Sequence, residues 1–147
     1  MSHVGLCLLA LTLSLFQSFT KEIQNAFLGN DPKVLRSLLA AGTFIPISLP
    51  SPIGFSDQVS DQQAYFLFQK IFASHPTSGF YPGGEVLRSL DRGAFIYKAR
   101  WEFLTSNGGS EPFQVMFYVR GRPSGRGWKG FWKITEIRAT RIRPESP

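Results

Sequence analysis

The amino-acid sequence predicts an α+β domain in which N-terminal helices pack on an antiparallel sheet. Three observations predict this class. Apolar residues recur at helical spacing before residue 76, apolar and polar residues alternate from residue 94 onward, and glycine-rich turns separate the alternating segments. The 147 residues suffice for one domain with its own core and are few for two. Fourteen phenylalanines, four tyrosines and three tryptophans predict an aromatic core.

The chain starts with an apolar run from Val4 to Phe16, VGLCLLALTLSLF. The run has the length of a signal-peptide core and is shorter than the roughly twenty residues of a membrane-spanning helix. We therefore expect residues 1–19 to be a signal peptide or an N-terminal anchor, residues 20–143 to be one domain, and residues 144–147 to be a tail. Unlike a typical signal peptide, the chain has no lysine or arginine ahead of the run. The alternative is an amphipathic or buried N-terminal helix. Export to the periplasm or the medium is the expected localisation.

Two short helices are expected after this leader. Thr20 is a suitable cap for the first, which should end at Gly29–Asn30, where left-handed backbone is tolerated. Asp31 and Pro32 suit the N-cap and the first position of the second helix, which should end before Gly42. The apolar faces of the two helices consist of Ile23, Ala26, Phe27, Leu35, Leu38 and Leu39.

The third helix has the clearest pattern. Ser60 and Gln63 fit a capping box at its start, and Pro76 ends it after His75. Its apolar residues fall at positions i, i+3, i+4, i+7 and i+8, which places them on one face. They are Ala64, Leu67, Phe68, Ile71 and Phe72.

Several strands are expected around and after this helix. Thr43 to Leu49 is strand-like, and Pro46 should restrict it to an edge of the sheet because proline cannot donate to a ladder. Pro50 to Val59 is expected to be a loop. The later strands are expected over Phe80 to Leu90, Ala94 to Thr105, Glu111 to Gly121 and Gly130 to Arg143, with turns at Asp91 to Gly93 and Ser106 to Gly109.

Alternation divides the later strands into an apolar and a polar face. The apolar positions are Phe95, Tyr97, Ala99, Trp101, Phe103, Phe113, Val115, Phe117, Val119, Trp132 and Ile134. In the last strand we expect a bulge that returns Ile137 to the same face. The opposite face is polar and basic.

Three residue strings together resemble the nuclear-transport-factor-2-like, or cystatin-like, superfamily. They are KEIQNAFLGNDPKVLRSLL (Lys21 to Leu39), VSDQQAYFLFQKIFASHP (Val59 to Pro76) and GFWKITEIRA (Gly130 to Ala139). Within the superfamily the chain is most similar to a bacterial family of exported domains, domain of unknown function 4783. The resemblance implies a cone in which N-terminal helices pack on a curved antiparallel sheet. It implies no catalytic residues, since that family has none established.

Enzymes of this fold work inside the cone, and the apolar positions of our chain include no carboxylate or imidazole. We therefore expect a non-catalytic domain without a cofactor that binds a small apolar ligand or an envelope protein. Bulky rings that fill the interior would each contribute roughly 1.5 to 3 kcal/mol to stability. The candidates for lining a ligand cavity are Tyr65, Phe68, Phe95, Tyr97, Trp101, Phe117 and Trp132.

A small enzyme of the ketosteroid-isomerase or polyketide-cyclase type is an alternative by fold analogy alone. Asp57, Asp61, Tyr97 and His75 would then be the residues of interest. Helix-terminal positions explain Asp57, Asp61 and His75 more simply, through the charge preferences of helix ends. No metal site is expected, because one leader cysteine, Cys7, and scattered carboxylates do not form a ligand cluster.

The positive charge lies mainly in the C-terminal part. Residues 86–147 carry twelve basic and five acidic side chains, and the chain as a whole has a net charge of +6. The basic-face candidates are Lys98, Arg100, Arg120, Arg122, Arg126, Lys129 and Lys133. They suggest an anionic surface or nucleic acid as an alternative partner, with Trp128 able to stack on a base. Solubility alone also explains such a face.

The basic stretch RGRPSGRGWKG, Arg120 to Gly130, is expected to be the turn between the last two strands, because both flanks are strand-like. Export argues against nucleic acid as a partner. The outer sheet face is also a candidate for homodimer formation.

Overall fold

The computed structural model describes residues 17–83, 87–88, 93–121 and 132–142, with the backbone alone at 87–88. Three helices in these ranges pack on a mixed sheet, which is the predicted α+β class. The helices are α1 (residues 17–28), α2 (Pro32–Leu38) and α3 (Asp61–Ser74). None of the helices in the described ranges is long and apolar enough to cross a membrane.

The sheet has seven strands within the described residues. They are β1 (Ile45–Leu49), β2 (Phe55–Val59), β3 (Thr77–Pro82), β4 (Leu87–Arg88), β5 (Ala94–Leu104), β6 (Ser110–Gly121) and β7 (Trp132–Arg141). Their order is β2-β1-β7-β6-β5-β3, and β4 also pairs with β5. All pairings are antiparallel except β1 with β7, so the sheet is mixed where the sequence suggested an antiparallel one.

The junction of α1 and α2 follows the predicted capping. Asn30 has a φ of 49° and follows Gly29, and the Asp31 N–H bonds to the Ala26 carbonyl while the Asn30 N–H bonds to the Phe27 carbonyl. This pair of bonds is a Schellman motif, which satisfies the last carbonyls of α1. The Asp31 carboxylate then accepts hydrogen bonds from the Lys33 and Val34 N–H groups and caps α2.

The start of α1 differs from the prediction. Residues 17–28 are helical, so Thr20 lies inside the helix, and its hydroxyl donates to the Gln17 carbonyl instead of capping. Phe19 is buried in the core. The packed structure therefore includes residues ahead of Thr20. The predicted boundary between leader and domain, after residue 19, remains a prediction.

Helix α3 begins as predicted. The Ser60 hydroxyl accepts from the Gln63 N–H at 3.1 Å, and the Gln63 side chain accepts from the Ser60 N–H at 2.9 Å. These two bonds form the expected capping box. His75 is the C-cap, and its N–H bonds to the Ile71 carbonyl.

Two predictions for the β1 region were wrong. β1 lies between β2 and β7 and is not an edge, and the predicted loop from Pro50 to Val59 contains β2. Pro46 is tolerated because the pairing of β1 with β7 covers only Ile47 and Ser48, beyond the proline. β2 was not predicted because Val59 is its one buried residue, so apolar and polar side chains do not alternate clearly along the strand.

The strand predicted from Phe80 to Leu90 is split. β3 and β4 pair with different parts of β5, and Pro82 ends β3 ahead of Gly83. The turn at 106–109 is confirmed: the Thr105 N–H bonds to the Gly109 carbonyl, and Gly108 has a φ of 84°. The predicted turns at 91–93 and 120–130 lie mostly outside the described residues. On either side of the second, Gly121 of β6 pairs with Trp132 of β7.

The predicted bulge in β7 is confirmed. Val119 pairs with Ile134, whereas Tyr118 pairs with Glu136, so Thr135 is the extra residue. Ile134 and Ile137 are both completely buried as a result. The inner face of the sheet, which the helices cover, therefore stays apolar from Trp132 to Ala139.

Candidate functional site

The inner face is a packed core of aromatic rings. The Phe27 ring of α1 lies 5.0 Å from Phe80, 5.1 Å from Trp101 and 5.6 Å from Phe117, measured between ring centroids. Its contacts with Trp101 and Phe117 are edge-to-face, the arrangement that aromatic rings favour. All four residues are at most 2% exposed. These rings fill the part of the inner face that surrounds Phe27.

The seven cavity candidates fall into separate groups. Phe68, Trp101 and Phe117 belong to the packed core. Phe95 and Trp132 form a ring pair, 4.7 Å between centroids, toward the other end of the sheet. The two further candidates are Tyr65, half-buried on α3 with its ring edge against Phe66, and Tyr97.

Tyr97 is the one titratable side chain among the buried inner-face residues that the structure describes; the other polar group there, the Trp101 indole N–H, donates to the Thr77 hydroxyl at 2.9 Å. The Tyr97 ring packs on Phe117 at 5.8 Å between centroids. No side-chain oxygen or nitrogen of the described residues is both fully enclosed and without a partner, so the Tyr97 hydroxyl is not a buried unsatisfied group. Burial removes water from the phenol and raises the pKa of Tyr97 to about 12. The hydroxyl is neutral at physiological pH and is able to donate a hydrogen bond.

The residues considered for an enzymatic site, besides Tyr97, are Asp57, Asp61 and His75, and they contact different neighbours. The Asp57 carboxylate is exposed on β2 and accepts from the Gln58 N–H, whereas Asp61 pairs with Arg36 at 3.2 Å. The His75 ring lies edge-on to Phe103 and shares a hydrogen bond with Ser74. Among the described residues, no contact joins these groups to one another or to Tyr97. The described ranges also contain no cluster of three potential metal ligands.

The outer face of the sheet is solvent-facing and ordered by strand pairing. One row runs from Lys98 through Met116 to Arg138, and the next from Ile96 through Tyr118 to Glu136. Arg120 follows on β6. We call the six residues Ile96, Lys98, Met116, Tyr118, Arg120 and Arg138 the outer-face patch. It has apolar and aromatic side chains at its centre and cations around them.

The carboxylates of this face are already paired. Glu102 lies 2.9 Å from Arg100, and Glu136 lies 3.2 Å from Arg138. The Arg138 guanidinium also lies 5.8 Å from the centre of the Tyr118 ring, a cation–π distance. Lys98 and Arg120, in contrast, pair with no carboxylate of the described chain.

The remaining basic-face candidates divide in two. Lys133 lies opposite Arg120 and donates from its ammonium group to the Ser37 carbonyl at 2.8 Å. Arg122, Arg126 and Lys129 lie outside the described residues. On β5 to β7 the described outward-facing side chains comprise five cations and two carboxylates, a net charge of +3. The cations are Lys98, Arg100, Arg120, Lys133 and Arg138.

Sequence reasoning missed Arg138 as a member of this face. The signal was available, because a bulge before Ile137 reverses the alternation and turns residues 136, 138 and 140 outward. The cross-strand neighbours of Arg138 follow from the register, which the sequence did not supply.

A shallow open groove of about 580 Å³ crosses the outer side of β2, β1 and β7. The side chains of Ser48 and Ser56 are short, whereas those of Glu136 and Arg138 beside them are long. This difference in length forms the groove. Its lining is Pro46, Ile47, Ser48, Ser56, Asp57, Gln58, Glu136, Ile137 and Arg138. The groove is polar, unlike the mostly apolar pockets that small ligands occupy.

Comparison with known proteins supports the fold. No protein-family model matches the chain, and neither does any curated protein. Among solved structures, a DUF4783 family protein from Bacteroides ovatus is 18% identical, with a TM-score of 0.57 over 83% of this chain and 94% of that chain.

Two further structures cover more of the chain. A ketosteroid isomerase-like protein from Erwinia carotovora atroseptica is 13% identical, with a TM-score of 0.66 over 90% of this chain and 97% of that one. An NTF2-like protein of unknown function in nutrient uptake from Rhodospirillum rubrum is 16% identical, with a TM-score of 0.61 over 86% and 98%. The chain therefore has the NTF2-like, cystatin-like fold, and its resemblance to DUF4783 proteins is confirmed at the level of fold.

Proposed function

We propose that this chain is a non-catalytic binding domain, exported from the cytoplasm, that holds an acidic protein partner on the outer face of its sheet. The observation that carries the proposal is the outer-face patch, in which Lys98 and Arg120 lack a carboxylate partner in the described chain and lie beside the half-buried side chains of Ile96, Met116 and Tyr118. Tyrosine, methionine and arginine are the residue types enriched in protein interfaces, and Tyr118, Met116 and Arg138 supply them here.

Charge and shape favour a protein over other anionic partners. Nucleic acid is bound through many phosphate contacts along a continuous basic track. Here two of the five cations, Arg100 and Arg138, are engaged by glutamates, and Met116 lies between Lys98 and Arg138. Protein interfaces commonly have an apolar centre and a polar or charged rim, and the outer-face patch has the same arrangement.

A homodimer through this face is the less favoured arrangement. Two copies would bring faces of net charge +3 together, and like charges across an interface oppose association. An acidic partner removes this repulsion and gains attraction from Lys98 and Arg120.

We propose a non-catalytic domain because the buried inner face of the sheet has few titratable groups. Acid–base catalysis needs a titratable group within hydrogen-bond reach of the substrate. The buried residues of the described inner face supply only the Tyr97 phenol, and its raised pKa makes it a poor base at neutral pH. Isomerase-like relatives of the same fold lend the chain no activity by themselves, since one fold hosts many functions.

A small apolar ligand remains the second candidate because of one observation, the phenol that Tyr97 places among the apolar rings of the inner face. A ligand that reaches Tyr97 would offer its hydroxyl an acceptor. Native mass spectrometry of the protein purified from its own host tests this directly. A co-purifying small molecule that Tyr97→Phe releases supports the ligand, and an empty protein contradicts it.

Export is tested by locating the chain and reading its N-terminus. Cell fractionation with a C-terminal epitope tag should find the protein outside the cytoplasm. N-terminal sequencing should show loss of the apolar run between Val4 and Phe16. A full-length cytoplasmic chain would contradict this part of the proposal.

Charge reversal tests the binding face. The probe is a poly-glutamate peptide, with single-stranded DNA and anionic phosphatidylglycerol vesicles as the other arms. Lys98→Glu combined with Arg120→Glu should weaken poly-glutamate binding by roughly three- to thirtyfold at low salt. The matched control, Lys33→Glu with Lys70→Glu, makes the same charge change at exposed positions on α2 and α3 and should leave binding close to wild type. Binding to DNA or vesicles without binding to poly-glutamate would overturn the proposal.

A further inference from the structure

The two edges of the sheet differ in how well they are protected. Unpaired backbone groups make an edge strand a template for another strand, and proteins block edges with prolines, bulges or charges. β3 has such protection, because its register shifts between Thr77 and Gly79 and the strand ends at Pro82. β2 pairs with β1 through five residues without a register shift and contains no proline. β2 is therefore the edge without a proline or a bulge, and Asp57 at its centre is its one charged residue.

The side chains of β2 are accessible at its centre. Ser56, Asp57 and Gln58 are exposed, and no strand of the described chain pairs with the far side of β2. The Asp57 carboxylate accepts a hydrogen bond from the Gln58 N–H at 2.7 Å. Local bonds of this kind satisfy a backbone donor in place of a neighbouring strand, so an added strand that uses the Gln58 N–H must replace this bond and release the Asp57 carboxylate.

Asp57 determines which kind of strand fits. Two copies of β2 paired antiparallel in full overlap would place Asp57 opposite Asp57, because it is the central residue of the strand. Like charges directly opposite one another destabilise a strand pair, whereas opposite charges stabilise it. A second copy is therefore disfavoured, and a basic side chain is favoured at this position.

We propose that β2 accepts an extended segment of a partner protein as an added antiparallel strand, with a lysine or arginine opposite Asp57. Main-chain hydrogen bonds supply the affinity in this mode of binding, and alternate side chains supply the specificity. Side chains of the added strand opposite Ser56 and Gln58 face the same side as the polar groove, which leaves room for large polar groups there. The site lies on a different element from the outer-face patch and stands independently of it.

The test uses two blocked heptapeptides of alternating threonine and valine that differ only at the centre, lysine in one and glutamate in the other. Each is titrated into the full ¹⁵N-labelled chain. Backbone amide shifts should concentrate at residues 55–59, and the lysine peptide should bind about two- to fivefold more tightly than the glutamate peptide.

Variants assign the preference to Asp57. Asp57→Lys should reverse the preference, and Asp57→Asn, which keeps the shape of the side chain, should abolish it. Glu22→Lys, at an exposed position of α1, is the matched control and should preserve it. Dispersed amide spectra establish that each variant is folded. The proposal is overturned if shifts concentrate outside β2, if neither peptide binds at millimolar concentration, or if the preference survives both Asp57 substitutions.

Discussion

Phe27 is the residue on which the ring contacts of the core converge. Its ring lies within 6.0 Å of five others, those of Phe68, Phe72, Phe80, Trp101 and Phe117. The aromatic composition predicts a ring-rich core, and helical spacing places Phe27 on a buried face. Neither the composition nor the spacing indicates that the central ring of the core belongs to a helix, because the contacts of Phe27 with the strands depend on long-range packing.

Truncation of the Phe27 side chain should strongly destabilise the fold. Phe27→Ala removes a completely buried ring from five aromatic neighbours and should lower the free energy of unfolding by about 3 to 5 kcal/mol. Phe66→Ala, at a position 53% exposed, is the control and should change stability by less than about 0.5 kcal/mol. Urea unfolding measures both. Equal effects would contradict the packing described for Phe27.

Asn30 combines two roles, and substitutions separate them. It adopts the left-handed conformation that ends α1, and its side-chain carbonyl accepts from the Thr77 N–H at 2.8 Å. Asn30→Gly keeps the backbone and loses a bond worth about 1 kcal/mol, whereas Asn30→Ala also adds about 1 to 2 kcal/mol of left-handed strain. We expect stability in the order wild type, Asn30→Gly, Asn30→Ala. Thermal unfolding that ranks alanine above glycine would refute this account.

The raised pKa of Tyr97 has a consequence at high pH. A phenol of pKa about 12 in the fold and 10.0 when unfolded binds its proton more tightly in the folded state. Its contribution is therefore complete below pH 10 and is lost as pH rises toward 12. Tyr97→Phe should reduce the fall in unfolding free energy over that range, measured by urea titration at several pH values. Identical slopes in both proteins would show that the phenol is not desolvated.

At the scale of elements, the helices could be predicted because their signals are local. Ser60, Gln63 and Asp31 bond backbone groups two to three residues away, and Pro32 fixes its own φ at the first helical position. β2 and the position of β1 could not be predicted this way. Five residues with one fully buried side chain give no clear period, and Pro46 is harmless only because β7 begins to pair beyond it.

The capping box gives an element-scale prediction. Ser60→Ala removes the acceptor for the Gln63 N–H and should cost about 0.5 to 2 kcal/mol of stability. Ser106→Ala, in the exposed turn after β5, should be close to neutral. Chemical denaturation compares the two. A neutral Ser60→Ala would show that packing of α3, and not its cap, fixes the start of the helix.

At the scale of the whole molecule, the sheet separates two environments. Its inner face is filled with rings, and its outer face presents cations around Met116 and Tyr118. Alternation predicted which side chains share a face, and residues such as Lys98, Arg100 and Arg120 were identified from it. The rows that join Lys98 to Arg138 through Met116 required the register across three strands, and residues 122–131, with three more predicted cations, lie outside the described ranges.

Site-specific photo-crosslinking in cells of the organism that encodes the chain tests the central claim most directly. A photoreactive amino acid replaces Tyr118 on the outer face or, as the control, exposed Phe66 on α3. We predict a crosslink at position 118 to an acidic protein, absent at position 66 and lost when Lys98→Glu and Arg120→Glu are added. Crosslinks at both positions, or crosslinks at position 118 that persist after charge reversal, would contradict the claim that the outer sheet face binds an acidic partner.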